Sequence, residues 1–173
     1  FKQLKHYEPP VTTRIYAKDG ELISEFAVEN RIYVPINSIP KVIINAFLAA
    51  EDKNFYNHPG IDLISLFRAI AQNIVNVGTN KSLVGGSTIT QQVVKNFLLT
   101  NERTFSRKLK EAILAFKITK VFSKDKILEL YLNEIYLGSG SYGAASASLN
   151  YFGKPMDEIS IEEAALLAAM PKA

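Results

Sequence analysis

Two glutamates stand out as the side chains best placed to do chemistry, each beside residues of a telling type. Glu51 lies in Ala49-Ala50-Glu51-Asp52-Lys53-Asn54-Phe55-Tyr56. On a helix, Ile44, Phe47, Leu48 and Phe55 fall on its face, at the separations that bring side chains together. A carboxylate held against aliphatic and aromatic groups has its charged form disfavoured, the condition wanted for a proton acceptor near neutral pH. A glutamate at the rim of that stripe, reaching out to water, would give the same pattern. Glu111 lies in Arg107-Lys108-Leu109-Lys110-Glu111-Ala112-Ile113-Leu114, with Leu114, Ile118 and Phe122 continuing its face. Apolar residues on most sides of that helix predict a buried position. A carboxylate there, one turn after Arg107 and Lys108, could organise a charged leaving group. The simpler reading is an ordinary intrahelical ion pair.

The run Gly85-Gly86-Ser87-Thr88-Ile89-Thr90-Gln91-Gln92-Val93-Val94-Lys95-Asn96 is the most informative. Two glycines lead into a helix, and Thr88 with Gln91 has the spacing of a capping box. A helix start of this kind presents free N–H groups that suit a phosphate. Thr88, Gln92, Lys95 and Asn96 share a polar face opposite Val93, Val94 and Phe97. A well-capped surface helix would show the cap, but not this density of neutral hydrogen-bonding groups beside a lysine.

The elements that must position these residues are mostly helices. Thr13–Ala17 and Glu21–Phe26 flank Lys18-Asp19-Gly20 and predict a hairpin. From Ser38 onward the apolar period is helical. Ser38 is expected to cap a helix starting near Pro40 and running through Phe55, before the turn-forming His58-Pro59-Gly60. Asp62 is expected to cap a second helix to about Val77, in which Ile64, Phe67, Ala71, Ile74 and Val77 recur at helical spacing. Residues 78–86 read as a loop, and further helices are expected at about 88–99, 104–122, 124–136, 142–152 and 160–170.

The chain has 173 residues, 47% of them hydrophobic and 21% charged, a globular composition with room for one domain core. With no cysteine, disulfides, thiolate metal sites and cysteine nucleophiles are excluded. No apolar run is long enough for a transmembrane helix. The net charge is only +3, but Lys95, Arg103, Arg107, Lys108, Lys110, Lys117, Lys120, Lys124 and Lys126 crowd one segment against Glu102, Glu111 and Asp125. Such a segment suits phosphate, pyrophosphate, nucleic acid or anionic lipid, or it is a solvated helical surface. Leu63, Ile64, Leu66, Phe67 and Ile70, around Arg68, either pack the core or form a surface that dips into lipid headgroups.

Three apparent motifs lead nowhere. Gly138-Ser139-Gly140-Ser141-Tyr142-Gly143 has dinucleotide-fingerprint spacing but follows a helical pattern, not a strand. Ser123 and Lys126 match a serine-x-x-lysine spacing, yet Ser123 is better placed as a helix cap. His58 has no second histidine near it and reads as structural rather than as a metal ligand.

In order along the chain, residues 50–60, 85–96, 107–111, 127–138 and 164–172 resemble the glycosyltransferase domain of class A penicillin-binding proteins. That domain is shared with monofunctional peptidoglycan polymerases. The resemblance covers roughly Ser38 to Lys172 and implies a mainly α fold. It has a lysozyme-like helical head lobe, a smaller jaw lobe and a short N-terminal β-hairpin. It divides the chain into a lead-in segment at 1–37 and a single catalytic domain at 38–173, with no transpeptidase domain. Glu51 would be the general base for the acceptor sugar's 4-hydroxyl. Glu111, with Lys108, would act at the donor's pyrophosphate, directly or through a divalent cation such as Mg2+ or Mn2+, and Arg107 would bind substrate; no organic cofactor is implied. Gln92, Lys95 and Arg103 would bind the donor, and Asp52, Ser87, Thr88 and Asn133 would support the site. The implied reaction is inverting polymerisation of lipid II into β-1,4-linked strands, with release of undecaprenyl pyrophosphate. Its implied partners are lipid II, the growing lipid-linked glycan, the membrane surface and other cell-wall synthesis proteins, with no nucleic acid. The implied location is the extracytoplasmic (periplasmic) face of the bacterial cytoplasmic membrane, anchored by a segment absent from this chain. Asn54 and Thr119 depart from the family pattern, which more often has a charged residue and a glutamate there.

Two other classes compete. A lysozyme-like hydrolase or lytic transglycosylase also uses a buried glutamate in a helical domain, but glycan cleavage releases no pyrophosphate to explain the basic run. A module binding anionic lipid or nucleic acid through 95–126 leaves Glu51 in its apolar setting without a purpose.

Overall fold

The computed structural model describes residues 13–20, 22–26, 30–76, 78–79, 85–99 and 104–172. The described residues are mainly helical. Strands β1 (Thr13–Tyr16) and β2 (Leu22–Phe26) form the expected antiparallel hairpin, with Gly20 at φ +88° in its turn. Short β3 (Asn30–Arg31) precedes α1 (Lys41–Glu51), α2 (Leu63–Asn76), α3 (Ile89–Leu98), α4 (Phe105–Ile118) and α5 (Lys124–Glu134). Short β4 (Ser141–Tyr142), α6 (Ala144–Phe152) and α7 (Ile161–Ala169) complete the order. Contacts divide the chain into two compact units, Phe1–Ala50 with Glu129–Ala173, and Glu51–Leu128.

The first unit packs Ile43 and Phe47 of α1, Leu130 to Leu132 of α5, Ala144 and Ala147 of α6, and Ala164, Leu167 and Ala168 of α7, all buried. Phe47 meets Tyr131 edge-on with ring centroids 6.1 Å apart. Asn133 of α5 clamps the segment before α1: its amide accepts from Val34 N–H at 2.7 Å and donates to the Val34 carbonyl at 2.9 Å. Glu129, one turn earlier, accepts from the Ile36 N–H at 2.8 Å. The glycine-rich run after α5 is a turn into β4, which pairs in parallel with β3. It is not a nucleotide loop.

In the second unit the buried apolar residues are Phe55, Ala69, Ile89, Val93, Val94, Ala115, Ile118, Ile127 and Leu128. His58-Pro59-Gly60 is its junction. Thr88 donates its hydroxyl to the Gly60 carbonyl at 2.6 Å, and Thr119 donates to the Pro59 carbonyl at 3.2 Å. Asp62 caps α2 as expected, accepting from the Ser65 N–H at 2.9 Å and the Ser65 hydroxyl at 2.7 Å. The Ser65 amide, above all, holds the Asp62 carboxyl down at about 2. That stabilisation is complete above the unfolded carboxyl's ordinary value near 3.8 and is lost as pH falls through about 2. Asp62→Ala should therefore cost about 1 kcal/mol. A denaturant series at pH 7, 4 and 2 should show the deficit shrinking towards the acid end.

Several boundaries differ from expectation. Ser38 does not cap α1: it ends a short 3-10 turn (Ile36–Ser38), and the Pro40 carbonyl accepts the first helical N–H groups. α1 stops at Glu51 rather than Phe55, because Phe55 N–H turns back to the Asp52 carbonyl at 3.0 Å while the Asp52 side chain is engaged elsewhere. α4 ends at Ile118, and the stretch to Phe122 is turn. Residue 142 belongs to β4, so the following helix begins at Ala144. Ser123 does cap α5, its hydroxyl accepting the Lys126 N–H at 3.2 Å.

The apolar face of α2 points to solvent. Leu63, Ile64, Phe67, Ile70 and Ile74 are exposed, Phe67 by 69%, and Ala69 is the buried residue of that helix. The core-packing reading does not hold for these residues; Leu66 of the same face is half-buried.

Candidate active site

Glu51 is the last residue of α1 and is half-buried, with its Oε1 closed off from solvent. Gln92 Nε2 donates to its Oε2 at 2.7 Å. The next residue, Asp52, is buried and reaches the same helix by another route: its Oδ2 accepts the Ile89 N–H at 3.1 Å. Consecutive carboxylates thus grip α3 at residues one helical turn apart. Both Asp52 oxygens also lie 3.0 Å from His58 Nε2, and His58 Nδ1 accepts the Gly60 N–H at 3.1 Å. His58 is structural, as its surroundings in the sequence suggest.

Glu111 is fully enclosed, its side chain only 2% exposed, and Lys108 donates to its Oε1 at 2.5 Å. Arg107 donates to its Oε2 at 3.4 Å. This is not the exposed intrahelical pair of the simpler reading. The buried carboxylate fixes two cations, and Lys108, half-exposed, also donates to Ser87 Oγ at 2.9 Å. α3 and α4 pack together, which brings Ser87 and Lys108 into reach. Glu51 is therefore tied to Gln92, and Glu111 through Lys108 to Ser87, less than two helical turns away along the chain.

The start of α3 carries the expected capping box, with the Thr88 hydroxyl accepting the Gln91 N–H and Gln91 Oε1 accepting the Thr88 N–H. This same cap takes up part of the helix start: the Thr88, Ile89 and Gln91 amides have acceptors within the protein. Lys95 and Asn96 are exposed one turn beyond Gln92, on the face the sequence predicts. Arg103 lies outside the described residues. Asn133 belongs to the first unit, where its amide groups engage Val34 and the Glu129 carbonyl.

A divalent cation at Glu111 is poorly matched by these residues. Both carboxylate oxygens already accept from cations, and no cluster of three acidic, histidine or cysteine groups occurs among the described residues. No chemical step is routed through a metal here. An apolar groove of about 740 Å3, lined by Val42, Ala46, Ala49, Ile161 and Ala165 among others, lies in the first unit and contains none of the candidate residues.

Sequence reasoning placed Lys124 only within the basic run, not in a buried setting. Its ammonium stands 4.4 Å over the Phe55 ring and is closed off from solvent. The available signal was a lysine at the first position of α5, where the helix dipole disfavours a cation. The two departures from the family pattern are absorbed by hydrogen bonds: Asn54 donates to the Asp62 carboxylate at 3.0 Å, and Thr119 donates to the Pro59 carbonyl.

The Transglycosylase family model matches residues 19–173. Penicillin-binding protein 1A of Rickettsia conorii is 57% identical over 173 residues, covering 100% of this chain and 22% of that protein. Penicillin-binding protein 1A of Aquifex aeolicus is 52% identical, covering 99% of this chain and 23% of that protein. Among solved structures, penicillin-binding protein 1A of Haemophilus influenzae is 27% identical, with a TM-score of 0.46, covering 96% of this chain and 15% of that one. The chain spans about a fifth of the length of the curated relatives it matches, 22% in the first case.

Proposed function

The chain belongs to the Transglycosylase family, and from that membership and the site geometry we propose that it polymerises lipid II into β-1,4-linked glycan strands. The observation that carries this reading is that the start of α3 links both carboxylates. Glu51 accepts from Gln92, and Glu111 holds Lys108, which donates to Ser87.

Glu51 takes the proton from the acceptor sugar's 4-hydroxyl as its oxygen attacks the donor's anomeric carbon. A sugar hydroxyl is a weak nucleophile, so a base fixed within reach lowers the barrier. The α-linked undecaprenyl pyrophosphate departs from the opposite side, and a single displacement inverts that carbon. Negative charge grows on the leaving pyrophosphate. Lys108 and Arg107, held in advance by Glu111, offset it without having to reorganise. Ser87 fixes Lys108 from the α3 side, and Gln92 orients the base. Lys95 and Arg103 complete the donor contacts in this reading.

The reaction takes place at the extracytoplasmic face of the cytoplasmic membrane, where the substrate's lipid tail stays in the bilayer. The exposed Leu63, Ile64, Phe67 and Ile70 around Arg68 supply a face of suitable chemistry to lie among the headgroups. No helix among the described residues is long and apolar enough to cross the membrane.

Incubating the chain with labelled lipid II in detergent separates this reading from its rivals. Polymer supports it, soluble cleavage products from preformed glycan point to a hydrolase, and binding to anionic vesicles without turnover leaves a lipid-binding module. The hydrolase reading gives the Lys108–Glu111–Arg107 group no task, since no pyrophosphate leaves.

A further inference from the structure

The outer side of α4 is built unlike an ordinary solvated helix. Glu111, Ala115 and Ile118 are buried and mark its inner side. Leu109, Ile113 and Phe116 stand on the opposite side at steps of four and three residues, 56%, 49% and 43% exposed. Lys110, Lys117 and, just past the helix end, Lys120 are exposed beside that stripe. Glu111 is the only acid between residues 104 and 122, and it is turned inward. Lys120 lies over the Phe116 ring with its ammonium 4.5 Å from the centroid, a contact that leaves its charge uncancelled. Lys117 also suits the negative end of the helix dipole, but that accounts for neither Lys110 nor the exposed apolar side chains.

We propose that this face of α4 docks on anionic lipid headgroups, with the apolar stripe entering the interface and the lysines pairing with the lipid charge. Charge complementarity selects that occupant. A neutral partner would leave Lys110, Lys117 and Lys120 without counter-charge, and a free phosphate would leave Leu109, Ile113 and Phe116 in water. An anionic bilayer surface offers an apolar layer and a sheet of negative charge side by side. α2 differs in kind. Its exposed apolar residues are accompanied by Arg68 as the only charged residue of that helix, so it suits any bilayer. The preference for anionic lipid belongs to α4.

The consequence for the site follows from spacing. The same helix carries Arg107 and Lys108 towards its inner side, both held by Glu111. A helix with its side chains is about 10 Å across, so these cations stand within roughly one helix diameter of the headgroups that the stripe enters. A pyrophosphate tethered to a lipid tail lies at that level. On the transferase reading, on which this consequence alone rests, docking of α4 sets the donor cations at the depth of the leaving group.

Binding is read without turnover, by sedimenting the chain with vesicles of phosphatidylcholine and with vesicles that also contain phosphatidylglycerol. Lys110→Gln, Lys117→Gln and Lys120→Gln combined should leave binding to neutral vesicles unchanged. On anionic vesicles at low salt the same variant should lose about fivefold per lysine. Salt at about 1 M should erase the anionic preference of the parent. Ile113→Ser with Phe116→Ser should weaken binding to both vesicle types by about tenfold. Phe67→Ser on α2 should weaken both and leave the anionic preference intact. Anionic binding untouched by the lysine variant overturns the proposal. So does a changed oligomeric state in the α4 variants with vesicle binding unaltered, which would make this face a contact between copies of the chain. In lipid II turnover the lysine variant should match the parent in neutral detergent and fall behind it on anionic vesicles; equal rates there overturn the placement of the donor cations. Lysine-dependent vesicle binding in a chain that makes no polymer leaves the docking face standing and removes the transferase reading instead.

Discussion

Glu51→Gln is expected to fold normally and to lose glycan polymerisation by a factor of at least about a hundred. The substitution keeps the size and shape of the side chain, and its amide oxygen can still accept from Gln92 Nε2. What disappears is the ability to take up the acceptor's proton. The neighbouring clamps, Asp52 to Ile89 and Lys108 to Ser87, do not involve the Glu51 side chain. A thermal melt matching the parent together with absent polymer on a gel is the expected pair of results. Near-normal polymer length and rate would remove Glu51 as the base, and with it the proposed mechanism.

The largest stability effect is expected at Gly60, away from any reacting atom. Its φ is +104°, and a Cβ placed there would lie 2.4 Å from the Ala115 carbonyl oxygen, which belongs to the backbone of α4. The helix cannot move aside as a flexible side chain would. Gly60→Ala therefore combines left-handed backbone strain with a backbone overlap, together about 3 kcal/mol or more. The Gly60 carbonyl also accepts the Thr88 hydroxyl, so displacement of this turn reaches the start of α3. Gly20→Ala is the control: its φ is +88°, but nothing lies within 4 Å of the new carbon. Only the strain of about 1 kcal/mol should remain there. Denaturant midpoints of the two variants measure the difference directly, and equal losses would mean that the Gly60 turn relaxes freely.

Much of the site was legible because its signals are local. The Thr88–Gln91 box, the Asp62 and Ser123 caps and the hairpin around Gly20 depend on residues two or three positions apart, where chain geometry leaves few choices. The family resemblance also rested on short runs whose residues and order are visible in one dimension. Misreadings arose where a distant atom competed for a local group. The helical pattern at Ile44, Phe47 and Leu48 continues to Phe55, yet α1 stops at Glu51 because Asp52 is held by His58 and by the Ile89 amide. The same bond occupies one amide of a helix start whose N–H groups had all seemed available to phosphate. On α2 the period was read correctly, but a period cannot say which side of a helix finds neighbours.

The sequence by itself determined the helical class, most of the caps, the family and the residue types available for acid–base and pyrophosphate chemistry. Tertiary structure decided which of those groups meet. Glu51 with Gln92, Lys108 with Ser87 and Asp52 with Ile89 are bonds across tens of residues, set by how α3 and α4 pack and by the turn at Gly60. Periodicity and capping are properties of neighbouring residues along a chain. Burial, hydrogen-bond competition and the balance of a buried charge are properties of what surrounds a group in space, and they appear only once the chain has folded.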